Sequence, residues 1–188
     1  MGYETHTHWQ VRDETGRRKY LSSEERGRFL AAAEALAPDR QVLCQVLVFT
    51  GCRISEALAL SRHCVDAEQL RLTIRTLKRR RTIHREVPVP SGLIEALLRL
   101  PVHQDGRFWC VHRSTAWRWI KRVMVSAQIA GPMATPKGLR HGFGIRAAGE
   151  SVPLGTIQRW LGHASPITST IYIDAVGVEE RQFAERMW

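Results

Sequence analysis

"LRLTIRTLKRRRTIHREVPVP", Leu70 to Pro90, is the stretch that decides the fold class. Apolar residues alternate with basic or polar ones in 70–77 and again in 82–90, the period-two pattern of strands with one buried face. Between them lies a basic run, Lys78, Arg79, Arg80 and Arg81, expected at the tip of an antiparallel hairpin. The sequence on either side has helical periodicity instead.

Upstream, residues 20–36 form a first predicted helix, with Ser22 or Ser23 as cap and Phe29, Leu30, Ala33 and Leu36 on one face. Residues 39–52 are apolar nearly all round, which predicts a central buried helix ended by Gly51. A short helix follows at 53–60. Downstream, 91–100 is helical up to Pro101, 102–112 is a loop, and 114–131 is an amphipathic helix capped by Ser114. There Trp117, Ile120 and Met124 share one face, while Arg118, Lys121 and Arg122 point toward the other. Thr135 and Pro136 open a helix through Ala148, and 152–161 is another, stopped by Gly162. Ser165 and Pro166 start one more, and 178–188 closes the chain as a polar helix. The class expected is α+β, mainly α-helical with a small antiparallel β-sheet. A flexible basic arm over 1–19 would precede one domain over 20–188.

The chain has 188 residues, 44% of them hydrophobic, which suits one globular domain and excludes a disordered chain. No apolar run is long enough for a transmembrane helix, and the polar start is not a secretory signal. Cys44, Cys52, Cys64 and Cys110 form no CxxC pair and read as reduced thiols of a cytosolic protein. The net charge is +10, from 28 basic and 18 acidic residues, which suggests a polyanionic partner, most often nucleic acid. A basic surface without such a partner has the same composition.

Several polar residues sit at awkward places. Arg53 follows a buried helix and a glycine, where it is either a structural ion-pair former or an oxyanion clamp, with Glu56 near enough to orient it. Lys137 and Arg140 share a face in the first turn of a helix, beside His141; free N–H groups and the helix dipole there favour an anion. Arg79, Arg80 and Arg81 suit backbone phosphates. His163 follows a helix-ending glycine, and Tyr172 lies nine residues on. Each alone reads as core packing. Together, two arginines, a lysine, a histidine and a tyrosine are the parts needed to attack a phosphodiester: a covalent nucleophile, cations for the equatorial oxygens and a donor for the leaving oxygen. No carboxylate cluster suggests a magnesium site.

"TGCRISEALAL", "KGLRHGFGIRAA" and "LGHASPITSTIYIDA", in this order, resemble the signature of the tyrosine recombinases, the phage-integrase family, as does a hairpin ending in "REVPVP" with Lys78 upstream. The resemblance covers residues 20–187 and implies the recombinase catalytic-domain fold, acting without metal or cofactor on double-stranded DNA. It implies that Arg53 and Arg140 clamp the scissile phosphate, Glu56 supports Arg53, Lys78 protonates the 5′ oxygen, and His163 bonds the phosphate. Tyr172 would attack phosphorus to give a 3′-phosphotyrosyl link, and strand exchange through a Holliday junction would follow. Lys137 stands where the family usually has histidine. His141 would be supporting, and Arg118, Lys121 and Arg122 would join the basic run on DNA. Members generally carry an additional N-terminal helical domain, for which this chain has no room, and the last helix often docks on a neighbouring protomer in a dimer or tetramer on DNA. The place of action would be the cytoplasm, at the nucleoid. Two further readings are a type IB topoisomerase-like relaxase and a non-catalytic DNA-binding accessory protein.

Overall fold

The computed structural model describes residues 11–76 and 83–163. Helix α1 (Ser23–Glu34) begins at a capping box: the Ser22 hydroxyl accepts the Glu25 N–H, and the Glu25 carboxylate accepts the Ser22 N–H at 3.0 Å. Arg18 donates to both Glu25 oxygens. Behind it the Asp13 carboxylate takes N–H groups from Thr15 and Arg17, and Lys19 N–H reaches Val11 O at 2.7 Å. The segment 11–19 is thereby a closed turn seated on α1.

Helix α2 (Pro38–Thr50) starts on a proline at its first turn, one residue earlier than expected, and buries seven residues, among them Leu43 and Leu47. It is the central helix its composition demands. Gly51 ends it at φ +60°, and α3 (Ile54–Leu58) follows. A 3-10 turn leads to a sheet of three antiparallel strands in the order β1 (Val65–Asp66), β2 (Arg71–Thr76), β3 (Ile83–Pro88). The predicted hairpin is β2–β3, in register Leu72↔Val87, Ile74↔Arg85 and Thr76↔Ile83. β1 is too short for alternation to reveal it.

Helix α4 (Ser91–Arg99) buries Leu93, Ile94 and Leu97. The loop after it carries two core residues, Phe108 and Trp109; the Trp109 indole N–H donates to Asp39 O at 2.8 Å. Helix α5 (Arg113–Ser126) differs from the expectation at both ends and on its face. His112 is the cap, its Nδ1 accepting the Ser114 N–H, and the helix stops at Ser126 instead of running to Gly131. Its buried stripe is Ala116, Ile120, Val123 and Met124, one step around from Trp117, which is 40% exposed.

Helix α6 (Pro136–Gly149) is capped by the Thr135 hydroxyl, which accepts the Gly138 N–H at 3.1 Å, and α7 (Leu154–Leu161) ends on Gly162 at φ +65°. The main core gathers around α2. A smaller apolar group, Ala147, Ile157 and Leu161, fixes α7 against α6. The fold class is α+β, mainly helical with one small antiparallel sheet.

Candidate active site

Three chain turns meet at one place: the turn after α2, the start of α6 and the end of α7. Arg53 is the cap residue of α3. Its N–H donates to Glu56 Oε2 and its guanidinium to Glu56 Oε1, both at 2.9 Å. Glu56 therefore holds backbone and head group together, and its side chain is fully buried while that of Arg53 stays 24% exposed. Burial pushes the Glu56 carboxyl up, but Arg85 and Arg53 overcome this, and it lies below its ordinary value.

Arg140, on α6, is buried and donates to Gly51 O at 2.8 Å and Leu161 O at 2.7 Å. One guanidinium thus ties the loop carrying Arg53 to the helix end preceding His163. Glycine is required at 51: a Cβ there would stand 2.7 Å from the Phe143 ring and 2.8 Å from Leu161, in a left-handed backbone conformation. His163 is buried, and its N–H donates to Gln158 O at 3.1 Å. Burial first, then the charges of Arg140, Arg53, His141 and Arg85, bring its imidazole down to about 3. His141 is also held down to about 3, by burial and then by Lys137, Arg140 and Lys19. Both rings are neutral at neutral pH, in a field set by converging cations. Lys137 is exposed near the α6 N-terminus. Cys52, between Gly51 and Arg53, is pushed up to about 11 by burial, so it is a packed thiol rather than a nucleophile.

The structure brings together Arg53, Glu56, Lys137, Arg140, His141 and His163. Lys78, Arg79, Arg80, Arg81 and Tyr172 lie outside the described residues, as do the helix starting at Ser165 and the closing polar helix. Arg118 and Arg122 are exposed on α5. Lys121 is drawn inward, donating to Ala134 O at 2.8 Å beside the Trp117 ring.

One residue of the site escaped the sequence reading. Arg85, on β3, is 5% exposed and donates to Glu56 Oε2 at 2.7 Å, Thr76 Oγ1 at 2.9 Å and Trp160 O at 2.7 Å. The signal was present: alternation places Arg85 on the same strand face as Val87, so a charge occupies an inward position. Chemically, Arg53 and Arg85 hold one buried carboxylate, Arg53, Arg85 and Arg140 act on the neutral His163 ring, and Arg140 and Lys137 act on the neutral His141 ring. Such a site favours an oxyanion.

The buried histidines give a pH prediction. Their folded-state values lie below the ordinary 6.5, so between about 3 and 6.5 the unfolded chain binds more protons. Stability is therefore present above 6.5 and lost as pH falls. From about pH 7 to about pH 5 each histidine is expected to cost about 2 kcal/mol. Urea unfolding of the DNA-free protein at the two pH values checks this; equal midpoints would refute it.

Comparison with known proteins supplies the context. A family model described as "Phage integrase family" matches residues 19–176. The chain is 26% identical to a protein named tyrosine recombinase XerA from Thermococcus onnurineus, covering 82% of this chain and 57% of the relative. It is 27% identical to a protein named resolvase from Escherichia coli, covering 83% and 76%. It thus spans little more than half the length of several curated relatives it matches. A crystal structure of XerA recombinase superposes with TM-score 0.75 at 26% identity, over 89% of this chain and 64% of that one. The catalytic domain of bacteriophage HP1 integrase superposes with TM-score 0.68 at 21% identity, over 88% and 93%, which bears on the fold. Because the family match runs unbroken through the turn after α2, the start of α6 and the end of α7, the chain belongs to the phage integrase family.

Proposed function

We propose that this chain is the catalytic domain of a site-specific DNA recombinase that breaks and rejoins strands through a 3′-phosphotyrosyl intermediate and a Holliday junction. The observation that carries the reading is the double tie made by Arg140, which sets two arginines and a buried neutral histidine around one point. A phosphodiester placed there would have its non-bridging oxygens met by Arg53 and Arg140, and one oxygen bonded by His163. Tyr172 would attack phosphorus, its hydroxyl proton passing to solvent; the P–O bond to the 5′ oxygen breaks, and Lys78 gives that oxygen its proton. The reverse reaction, by a partner strand's 5′ hydroxyl, would rejoin DNA without external energy. Lys137, in the family's histidine position, would donate to a phosphate oxygen as a point charge.

Double-stranded DNA is the proposed partner, and the net charge of +10 supports it. Arg79, Arg80, Arg81, Arg118 and Arg122 would contact backbone phosphates; Lys121 would support α5 from within. Assembly into a dimer or tetramer on DNA would use the closing helix. No helix among the described residues is long and apolar enough to cross a membrane, and the proposed place of action is the nucleoid.

The test is covalent trapping. The protein is mixed with nicked duplex carrying the DNA that flanks its own gene, denatured in detergent and resolved by size. A protein–DNA adduct is expected, and Tyr172→Phe is expected to remove it while leaving DNA binding intact. An adduct that survives in Tyr172→Phe would overturn the assignment of the nucleophile. DNA binding by the parent chain with no adduct would overturn the enzymatic reading.

A further inference from the structure

We propose that Arg85 is a positioning residue: its guanidinium, bonded at once to Glu56, Thr76 and the Trp160 carbonyl, sets the mutual placement of Arg53, the base of the hairpin and His163. The inference rests on the recombinase reading of the site. Arg85 lies on the buried face of β3 opposite Ile74, with a side chain 3% exposed. Packing alone would be served there by another Val or Ile, as at Val87 and Ile74, because burying a guanidinium carries a desolvation cost. What the arginine adds is three directed bonds, and each acceptor leads to a different part of the site. Glu56 Oε2 also accepts the Arg53 N–H, so Arg85 fixes the carboxylate that orients Arg53. Trp160 O is one of the last carbonyls of α7, which have no partner within their own helix, and His163 follows three residues later. Thr76 is the last residue of β2, two residues before Lys78 in the chain.

Arg85 and Arg140 act as a pair on the end of α7. They take the successive carbonyls of Trp160 and Leu161 from two different elements, one from the sheet and one from α6. Two cations at a helix C-terminus also suit its dipole. The approach is close: a Cβ at Gly162 would stand 3.0 Å from the Arg85 guanidinium and 3.1 Å from Thr76 Oγ1. Arg85, Thr76, Gly162 and His163 also line one open cleft. Solutes can therefore reach the place of the side chain once it is shortened.

Lysine keeps the charge but cannot span three acceptors. Arg85→Lys is expected to keep the parent affinity for the nicked duplex and to slow single-turnover adduct formation, at saturating protein, on the order of 10–100-fold. Arg85→Ala is expected to be slower still and to recover part of its rate on adding millimolar guanidinium, which enters through the cleft; the parent chain is not accelerated. A second readout does not depend on cleavage: the imidazole NMR signals of His163 are expected to shift in Arg85→Lys without DNA. A parent-like adduct rate in Arg85→Lys, or a rate loss that merely follows lost affinity or unfolding, would overturn the proposal. So would unmoved His163 signals. If the parent chain forms no adduct, the recombinase reading fails, and the His163 signals alone decide the role of Arg85.

Discussion

Glu56→Ala is expected to destabilise the domain by about 3–5 kcal/mol, the cost of removing one partner from a buried ion pair. Glu56 is 1% exposed and accepts from Arg53 through one oxygen, and from Arg85 and the Arg53 N–H through the other. Its loss leaves the Arg85 guanidinium as a buried charge facing Thr76 and a carbonyl dipole. It also strips α3 of its cap, worth about a further 1 kcal/mol. Together, at this chain length, the melting midpoint should fall by about 8–24 °C. Glu56→Gln keeps the shape and is expected to cost less than Glu56→Ala. Urea titration of the two variants checks the order, and an Ala variant within about 1 kcal/mol of the parent would refute the argument. The carboxyl also adds pH dependence. Its folded-state value lies below the ordinary 4.5, so its contribution is full above 4.5 and disappears as pH falls through the lower value. The histidines begin to withdraw stability below 6.5, so acid weakens the site in two stages.

The second large effect belongs to Arg140. Arg140→Met removes the donor to two carbonyls, at Gly51 and Leu161, that lie on different elements. Hydrogen bonds from charged groups contribute about 1.5–3 kcal/mol each, so a loss of about 3–6 kcal/mol is expected. Arg140→Lys is not a conservative repair, because one ammonium does not reproduce a planar fork aimed in two directions. On the proposed reaction, removing this cation should also slow adduct formation on the order of 10²–10³-fold, comparable to losing an oxyanion donor. Denaturation reads the first effect and single-turnover cleavage at saturating protein the second. A variant with a parent-like cleavage rate would remove Arg140 from the phosphate clamp, whatever happened to its stability.

Helix existence was legible where local chemistry decides it. Ser22 and Glu25 form the capping box that their spacing suggests, Thr135 and Pro136 open α6, and Gly51 and Gly162 end their helices in the left-handed conformation. Alternation likewise marked β2 and β3. The misses share a different cause. His112 caps α5 because its ring nitrogen accepts as a serine oxygen would, so Ser114 looked the better candidate. Spacing puts Trp117 on one face of α5 with Ile120 and Met124; those two are buried beside Ala116 and Val123, while the indole stays 40% exposed at the edge of the stripe. Phe108 and Trp109 sit in a loop without periodicity, so nothing local announced that they fill the core.

Sequence by itself determined the starts of α1 and α6, the glycine-closed ends of α2 and α7, the paired strands β2 and β3, the order of the signature stretches and the basic charge, because each rests on neighbours in the chain or on composition. Tertiary structure alone decided that Arg140 would hold Gly51 and Leu161, residues 89 and 21 positions away, and that Arg85 would join Glu56 to Trp160. Those bonds depend on where backbone carbonyls point once helices and sheet have packed. A carbonyl is present at every position, so no residue type marks which ones will be left for an arginine to take.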